Sequence, residues 1–163
     1  MKNLMLLFTV ILLASLISCE EKIDIEKEKE AIKAVFEQEK EGFFNQDAKV
    51  MAETWIQEPS SVKMYMLDDG QTKFTGWDAI KKHDEENVAD TSLDRKKFTV
   101  TFRDYEIQLL EDEAAWVTCE TVWNGVENDL PVELIQTRIN VLRKDQGKWK
   151  FALMAIYNHP RVN

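Results

Sequence analysis

The sequence predicts an α+β fold in which helices lie across one face of a curved antiparallel sheet. Helical patterns fill the first half of the chain, and the stretch 114–159 forms three long strand patterns rich in Trp, Val, Ile and Thr. Turn residues separate consecutive strands, which favours antiparallel neighbours. Helices followed by a run of strands is the order typical of α+β domains.

The N-terminus predicts an export signal. Lys2 gives a basic start, an apolar run covers 4–17, and the tetrapeptide Leu-Ile-Ser-Cys ends at Cys19. The run is shorter than the roughly 20 residues that a membrane-spanning helix needs. The tetrapeptide resembles the lipobox of bacterial lipoproteins, which implies cleavage before Cys19 and acylation of that residue. An uncleaved apolar anchor and an ordinary signal peptide are the alternatives.

This signal divides the chain into three parts. We expect residues 1–18 to be the lipoprotein signal peptide, 19–30 an acidic tether, and 31–163 a single folded domain. Acyl chains hold a protein on a membrane without a spanning helix. The predicted location is therefore the bacterial cell envelope, on its periplasmic side or on the cell surface, with membrane contact through the lipid anchor alone.

Composition disfavours several classes of function. The net charge is −9, from 21 basic and 30 acidic residues, and such a chain repels nucleic acid. The two histidines are far apart, and no zinc motif or Gly-rich phosphate loop occurs, so no metal or cofactor is expected. With Cys19 acylated, Cys119 has no disulfide partner, and we expect a buried strand residue there.

Three helices are predicted before the main strands. The first carries apolar residues at helical spacing from Ile25 to Phe43. Asp47 is placed to cap a second, short helix over 48–55. Residues 75–78, Thr-Gly-Trp-Asp, resemble a capping box that opens a third helix through about Val88.

Strand patterns occupy most of the remaining chain. A first hairpin joins 62–67 to 71–74 through a turn at Asp69-Gly70. Turns are also predicted at 111–113 and 145–147, and a loop at 125–131. The later strands are predicted at 97–110, 114–124, 134–143 and 148–157.

Several short motifs, in this order of elements, resemble the nuclear transport factor 2-like superfamily, with the SnoaL-like domains as the nearest branch. They are Trp55, Gly-Trp-Asp-Ala-Ile at 76–80, Ala-Trp-Val-Thr at 115–118, Val-Leu-Arg-Lys at 141–144 and Gly-Lys-Trp-Lys at 147–150. The resemblance spans about 25–157. It implies a cystatin-like cone, a curved sheet wrapped around the N-terminal helices with a pocket at the wide end, and a homodimer through the outer sheet face.

Two charged residues stand inside apolar strands. Glu120 and Arg138 would bind a polar ligand group if they face each other on the inner side of the sheet. The alternative is a cross-strand ion pair on the outer or dimer face.

Aromatic residues supply candidate pocket walls. Trp55, Tyr65, Trp116 and Tyr157 suit a half-wet cavity because tyrosine and tryptophan carry a polar group on an apolar body. Core packing is the alternative for all four. His159 follows the last strand and lies either at the pocket mouth or in a loose tail.

The expected function is binding of a small, partly apolar molecule at the envelope. Many relatives carry histidines on the terminal strand, where this sequence has Leu153 and Ala155, so the usual acid–base groups are missing. One alternative is a dimerising interaction module of an envelope complex with a vestigial pocket. A second is an isomerase, cyclase or hydratase that uses a carboxylate such as Glu120 as its general base.

Overall fold

The computed structural model describes residues 23–67, 70–110, 113–127 and 129–159. Within these ranges the chain forms three α-helices and one six-stranded sheet, which confirms the predicted α+β class. The helices are α1 (Ile25–Phe44), α2 (Ala48–Glu53) and α3 (Trp77–Ala89). The strands are β1 (Val62–Leu67), β2 (Gly70–Thr75), β3 (Phe98–Leu110), β4 (Ala114–Glu127), β5 (Leu130–Asp145) and β6 (Lys148–Asn158).

The strand order is β2-β1-β6-β5-β4-β3. Strands β3 to β6 form an antiparallel meander, as the turn signals predict. The hairpin of β1 and β2 joins the same sheet through β1, which lies parallel to β6. That parallel pair departs from the purely antiparallel expectation.

Two register shifts bend the sheet around α1. One lies between Arg103 and Glu106 on β3, where Asp104 adopts a φ of 53°. The other lies between Val141 and Leu142 on β5. Such irregularities increase local twist and bend a strand, and the resulting concave face receives the helix.

The core lies between α1 and this concave face. Ile32, Val35 and Phe36 form the buried stripe of α1. The ring of Phe36 meets that of Phe151 edge-on, with 5.0 Å between centroids. The amphipathic pattern of the first helix therefore packs as predicted.

Helix α1 starts inside the stretch expected to be a tether. Asp24 caps it by accepting a hydrogen bond from the Lys27 backbone N–H at 3.2 Å. The carboxylate of Glu28 then accepts a 2.6 Å hydrogen bond from the indole N–H of Trp149. The second half of the stretch 19–30 is thus helical and contacts the sheet.

The two other helix starts differ from each other. Asp47 caps α2 as predicted, accepting from the backbone N–H groups of Lys49 and Val50. The predicted capping box at 75–78 is wrong: Gly76 is the N-cap residue of α3, with a φ of 86° and no side-chain cap. Its backbone N–H instead donates to Ser61 O at 2.8 Å.

The predicted loop at 125–131 is mostly strand. Gly125 pairs with Val132 and Val126 with Pro131, so β4 and β5 extend almost to their turn. Three predicted features lie outside the described residues: the export signal with Cys19, the turn residue Asp69, and residues 111–112 of the turn between β3 and β4. Among the residues that are described, no helix is both long and apolar enough to cross a membrane.

Candidate functional site

A cavity of about 250 Å³ lies between the C-terminal half of α1 and the concave face of the sheet. Its apolar wall consists of Phe43, Phe44, Met51, Val100, Phe102, Trp123 and Ile156. Its polar wall consists of Glu39, Lys40, Lys63, Tyr65, Asn87, Thr121, Gln136 and Arg138.

Helix and strand periodicity aim these side chains at one space. On α1, Glu39 and Phe43 follow Phe36 at helical spacing, so they continue its inward face. On β4, Thr121 and Trp123 share the parity of buried Val117 and point inward as well. The cavity therefore lies beside the C-terminal half of α1, beyond the core residues of that helix.

A buried charge cluster lies at the inner end of the cavity. Its members are Glu39, Lys63, Asp84 and Arg138, and none is more than 7% exposed. Lys63 Nζ lies 2.5 Å from Asp84 Oδ1 and 3.9 Å from Glu39 Oε1. Arg138 Nη2 lies 2.8 Å from Glu39 Oε2. The cluster links α1, β1, α3 and β5.

The cluster holds two positive and two negative groups, which compensate one another. Burial acts to lower the pKa of Lys63, but the neighbouring groups of Tyr65, Asp84 and Glu39 together outweigh it, and the pKa is raised. Burial also raises the pKa of Asp84, against the opposing charge of Lys63. Because removing charges from water is costly, this mutual pairing is what makes four buried charges tolerable.

A neutral polar arm adjoins the cluster. The Tyr65 hydroxyl lies 3.3 Å from His83 Nε2, and the His83 ring stacks on Phe74 at 4.1 Å. Burial, aided by the charge of Lys63, lowers the pKa of His83 to about 4. Burial also raises the pKa of Tyr65. Both groups are therefore uncharged at pH 7.

Two residues of the cavity wall carry buried polar atoms with no protein hydrogen-bond partner among the described residues. They are the Thr121 hydroxyl and Nε of Arg138. The Nη2 group of Arg138 is already engaged with Glu39 and with Met154 Sδ. An unmet hydrogen bond of a buried polar group is costly.

The described side chains include no group of three His, Cys, Asp or Glu placed to hold a metal ion. Both carboxylates of the cluster are paired with cations. The arrangement is suited to holding an organic molecule by apolar contact with a small number of hydrogen bonds.

Solved structures with similar folds include a ketosteroid isomerase-like protein from Erwinia carotovora atroseptica SCRI1043, with a TM-score of 0.59, 15% identity, and coverage of 80% of this chain and 95% of that one. A provisionally assigned dehydratase of the NTF2-like family from Streptomyces avermitilis has a TM-score of 0.66 and 14% identity, and the match covers 83% and 99%. A provisionally assigned calcium/calmodulin dependent protein kinase II association domain from Xanthomonas campestris has a TM-score of 0.60 and 15% identity, with coverage of 80% and 87%. No family model and no curated protein sequence matches the chain.

The chain has the nuclear transport factor 2-like fold. At these identities the likeness establishes the fold, which agrees with the resemblance found in the sequence. The chemistry of this chain follows from its own side chains.

Within this nuclear transport factor 2-like fold, two of the seven predicted ligand-binding residues line the cavity. These are Tyr65 and Arg138. Trp55 is fully buried in the core, 5.6 Å from the Phe151 ring, and it does not line the cavity. Its ring lies beneath Lys63, with Nζ 5.6 Å from the centroid.

Three other predicted residues lie on the convex face. Trp116 and Tyr157 are 41% and 47% exposed, and Glu120 forms an ion pair with Arg103 at 2.8 Å. The predicted juxtaposition of Glu120 with Arg138 is wrong, because Arg138 lies opposite Cys119 in the register. Neighbouring strand residues face opposite sides, so a difference of one residue separates the two charges.

The last predicted residue, His159, is exposed, and its Nε2 lies 2.7 Å from the Thr137 hydroxyl. Thr137 lies opposite Glu120 rather than on the cavity side. Cys119 is buried, as expected, and burial raises the pKa of its thiol to about 11. It is thus a neutral, unreactive group at pH 7.

Three members of the charge cluster were missed by sequence reasoning: Glu39, Lys63 and Asp84. The sequence carries a signal for one of them, Asp84. Asp84 lies midway between Ile80 and Val88 on the buried face of α3, at intervals of four. A charged residue at a core position of an amphipathic helix has to be paired, and this rule would have singled it out.

Proposed function

We propose that this nuclear transport factor 2-like chain binds a small, largely apolar molecule in the cavity between α1 and the sheet. The observation that carries the proposal is an apolar, aromatic-walled space that borders a self-compensating charge cluster. Concave, mostly apolar sites with a few placed polar groups are the usual form of small-molecule sites. The isomerase and dehydratase names of two structural neighbours are consistent with such a site.

Filling the cavity tests this proposal. Ile156 lines the cavity from β6, so Ile156→Phe should occupy part of the space. A panel of small apolar compounds should raise the melting temperature of the wild-type protein, and this shift should shrink in the variant. Val126→Phe, at an exposed position that does not line the cavity, is the matched control and should keep the full shift. Equal shifts in all three proteins would contradict binding in this cavity.

Binding is favoured over catalysis by the positions of the carboxylates. Glu120, the base considered from sequence, lies on the convex face, away from the cavity. Glu39 does line the cavity, but its carboxylate is bonded to Arg138 at 2.8 Å. Pairing with a guanidinium stabilises the ionised form of a carboxylate and so makes it a weaker general base.

We also propose that the protein is anchored to the bacterial envelope by acylated Cys19. The support is the apolar run 4–17 followed by the lipobox-like tetrapeptide. Expression with a labelled fatty acid should label the wild-type protein and leave Cys19→Ser unlabelled. Equal labelling of both, or of neither, would contradict acylation at this residue.

A third proposal is a homodimer through the convex face. Cross-strand register places Trp116, Val141 and Leu153 in one apolar row on that face. The neighbour described as an association domain is consistent with self-association. Trp116→Glu should convert a dimer to a monomer in light scattering, whereas Gln57→Glu, with the same charge change at an exposed loop position, should not. A monomeric wild-type protein at high concentration would refute the dimer.

A further inference from the structure

We propose that the C-terminal segment 160–163 continues β6 and covers an open edge of β5. The segment itself lies outside the described residues, whereas the edge that receives it, β5 residues 130–135, is described. The partner of this edge is then a part of the same chain. Pairing of this kind is independent of ligand binding in the cavity.

The hairpin of β4 and β5 extends beyond the end of β6. On one side, β5 pairs with β4 as far as Leu130. On the other side, its pairing with β6 starts only at Gln136, which lies opposite Asn158. Residues 130–135 therefore have one edge that no strand of the described chain covers, and Leu130 is 66% exposed. Such an edge presents backbone N–H and C=O groups to any strand that reaches it.

The last described residue still follows this edge. The backbone N–H of His159 donates to Ile135 O at 3.1 Å. The His159 side chain is held over the same strand, with Nε2 2.7 Å from the Thr137 hydroxyl. The chain thus leaves β6 in the direction that antiparallel pairing with β5 requires. Continuing the register places residues 160–163 opposite Leu134, Glu133, Val132 and Pro131 in turn.

The alternation of hydrogen bonds along this register tolerates the proline. Antiparallel pairs alternate between hydrogen-bonded and non-hydrogen-bonded. His159 and Ile135 form a bonded pair, so Pro160 falls at a non-bonded position, where its missing N–H is not needed. Arg161 then falls at the next bonded position, where it exchanges backbone hydrogen bonds with Glu133.

The side chains match in the same register. Arg161 lies opposite Glu133, and opposite charges directly across two strands attract. Val162 lies opposite Val132, a pair of β-branched apolar residues. A slip of one residue would instead put Pro160 at a bonded position and Arg161 opposite an apolar side chain. Backbone and side chains therefore favour one register.

The covered edge borders the cavity. Gln136, which lines the cavity, donates to Asn158 Oδ1 at 2.7 Å. Leu134 lies opposite Trp123, another residue of the cavity wall, and is partly exposed. Segment 160–163 thus runs along the rim of the cavity and shields the apolar side chains of the hairpin from water.

The backbone amide of Glu133 tests this pairing directly. Alternate strand residues direct their N–H groups to the same edge, so this amide points, like the Ile135 carbonyl, toward the open edge. Its hydrogen exchange would be measured by NMR in the purified full chain. We expect deletion of 160–163 to accelerate its exchange about tenfold or more, the equivalent of one lost hydrogen bond. The amide of Leu134, which points toward β4, is the internal control and should change far less.

Two proline variants test the register. Arg161→Pro removes an N–H at a bonded position and should accelerate exchange of the Glu133 amide nearly as much as the deletion. Val162→Pro places the same residue at a non-bonded position and should keep most of the protection. Arg161→Ala loses the charge and keeps the N–H, so it should accelerate exchange less than Arg161→Pro.

Several results would overturn the proposal. One is exchange of the wild-type Glu133 amide at the rate of an unstructured peptide, and another is equal protection with and without 160–163. Equal acceleration in the two proline variants would contradict the register. Protection that rises with protein concentration would assign the edge to a second copy of the chain. The wild-type rate and its concentration dependence decide the matter even if a variant fails to fold.

Discussion

Arg138 and Glu120 show how a single register position decides what a charged residue does. Both stand in apolar strands of the meander, and the sequence alone treats them alike. Pairing of β4 with β5 turns Arg138 toward α1 and Glu120 toward the convex face. Arg138 is thus 4% exposed and bonded to Glu39, whereas Glu120 meets Arg103 in solvent.

Removing Arg138 should be strongly destabilising. Arg138→Met leaves the Glu39 carboxylate buried beside fewer cations, and breaking such a pair costs about 3–5 kcal/mol. The free energy of unfolding in urea measures this loss. The double variant Glu39→Leu with Arg138→Met should recover much of it, because no unpaired charge remains. Arg103→Met, on the exposed pair, is the control and should have a far smaller effect; a loss as large as that of Arg138→Met would contradict this account.

His83 should make stability depend on pH. Its pKa falls from 6.5 to about 4 on folding, so below pH 6.5 the unfolded chain binds more protons than the folded one. Stability is then lost as the pH falls from about 6.5 to 4. Because the ring is only half-buried, solvent screening reduces the effect of this pKa shift on the free energy of unfolding to about 1 kcal/mol.

The slope of unfolding free energy against pH tests this assignment. His83→Asn should flatten the slope between pH 6.5 and 4. Asp84 acts in the opposite sense, since burial raises its pKa, and Lys63 and Glu86 also act on His83. The informative quantity is therefore the difference between the wild-type and His83→Asn curves, and an unchanged slope would refute the role of His83.

Individual site residues were predictable where their own pattern marked them. Residue type and strand position mark Tyr65 and Arg138 in the sequence, and both line the cavity. Nothing comparable marks Lys63, two residues before Tyr65 on β1, because a long lysine side chain in a strand usually reaches solvent. Its burial depends on Asp84 and Glu39, and the sequence does not reveal that these helix positions meet at β1.

At the scale of elements, the sequence was most informative for the long amphipathic and alternating segments. The stripe of α1 and the meander from β3 to β6 follow from periods of 3.6 and 2. The capping box predicted at the start of α3 does not form, because backbone contacts to the preceding loop hold Gly76 in place. Contacts between distant segments of this kind leave no local pattern.

Gly42 on α1 tests the packing of two helices. Alanine favours a helix by up to about 1 kcal/mol over glycine, but a Cβ at Gly42 would lie 2.9 Å from Met51 N and 3.1 Å from Asp47 O. Overpacking against backbone costs about 1–3 kcal/mol. We therefore expect Gly42→Ala to lower the free energy of unfolding by about 1 kcal/mol. Glu41→Ala, at the exposed neighbouring position, should be near neutral, and a stabilising Gly42→Ala would show that α2 moves freely.

At the scale of the whole molecule, the sheet consists of a meander and an added hairpin. Strand β1 pairs with β2 and with β6, and α3 packs over this hairpin. Parallel pairing of β1 with β6 joins residues about ninety positions apart. Register between such distant segments is set by packing rather than by local turns, which is why the sequence predicted the meander but not this edge.

The charge cluster should fasten this hairpin and α3 to the meander. Lys63 on β1 and Asp84 on α3 meet Glu39 and Arg138, which belong to α1 and β5. The double variant Lys63→Met with Asp84→Asn removes one positive and one negative charge. It therefore weakens the link and leaves the net charge of the cluster unchanged. Amide hydrogen exchange should then accelerate in β1, β2 and α3, while β4 and β5 keep their protection, because stability is local to cooperative units.

Lys82→Met with Glu86→Gln, an exposed pair on α3, is the matched control and should change neither region. Uniform acceleration across the sheet would show that the molecule opens as one unit and that the cluster does not join two parts.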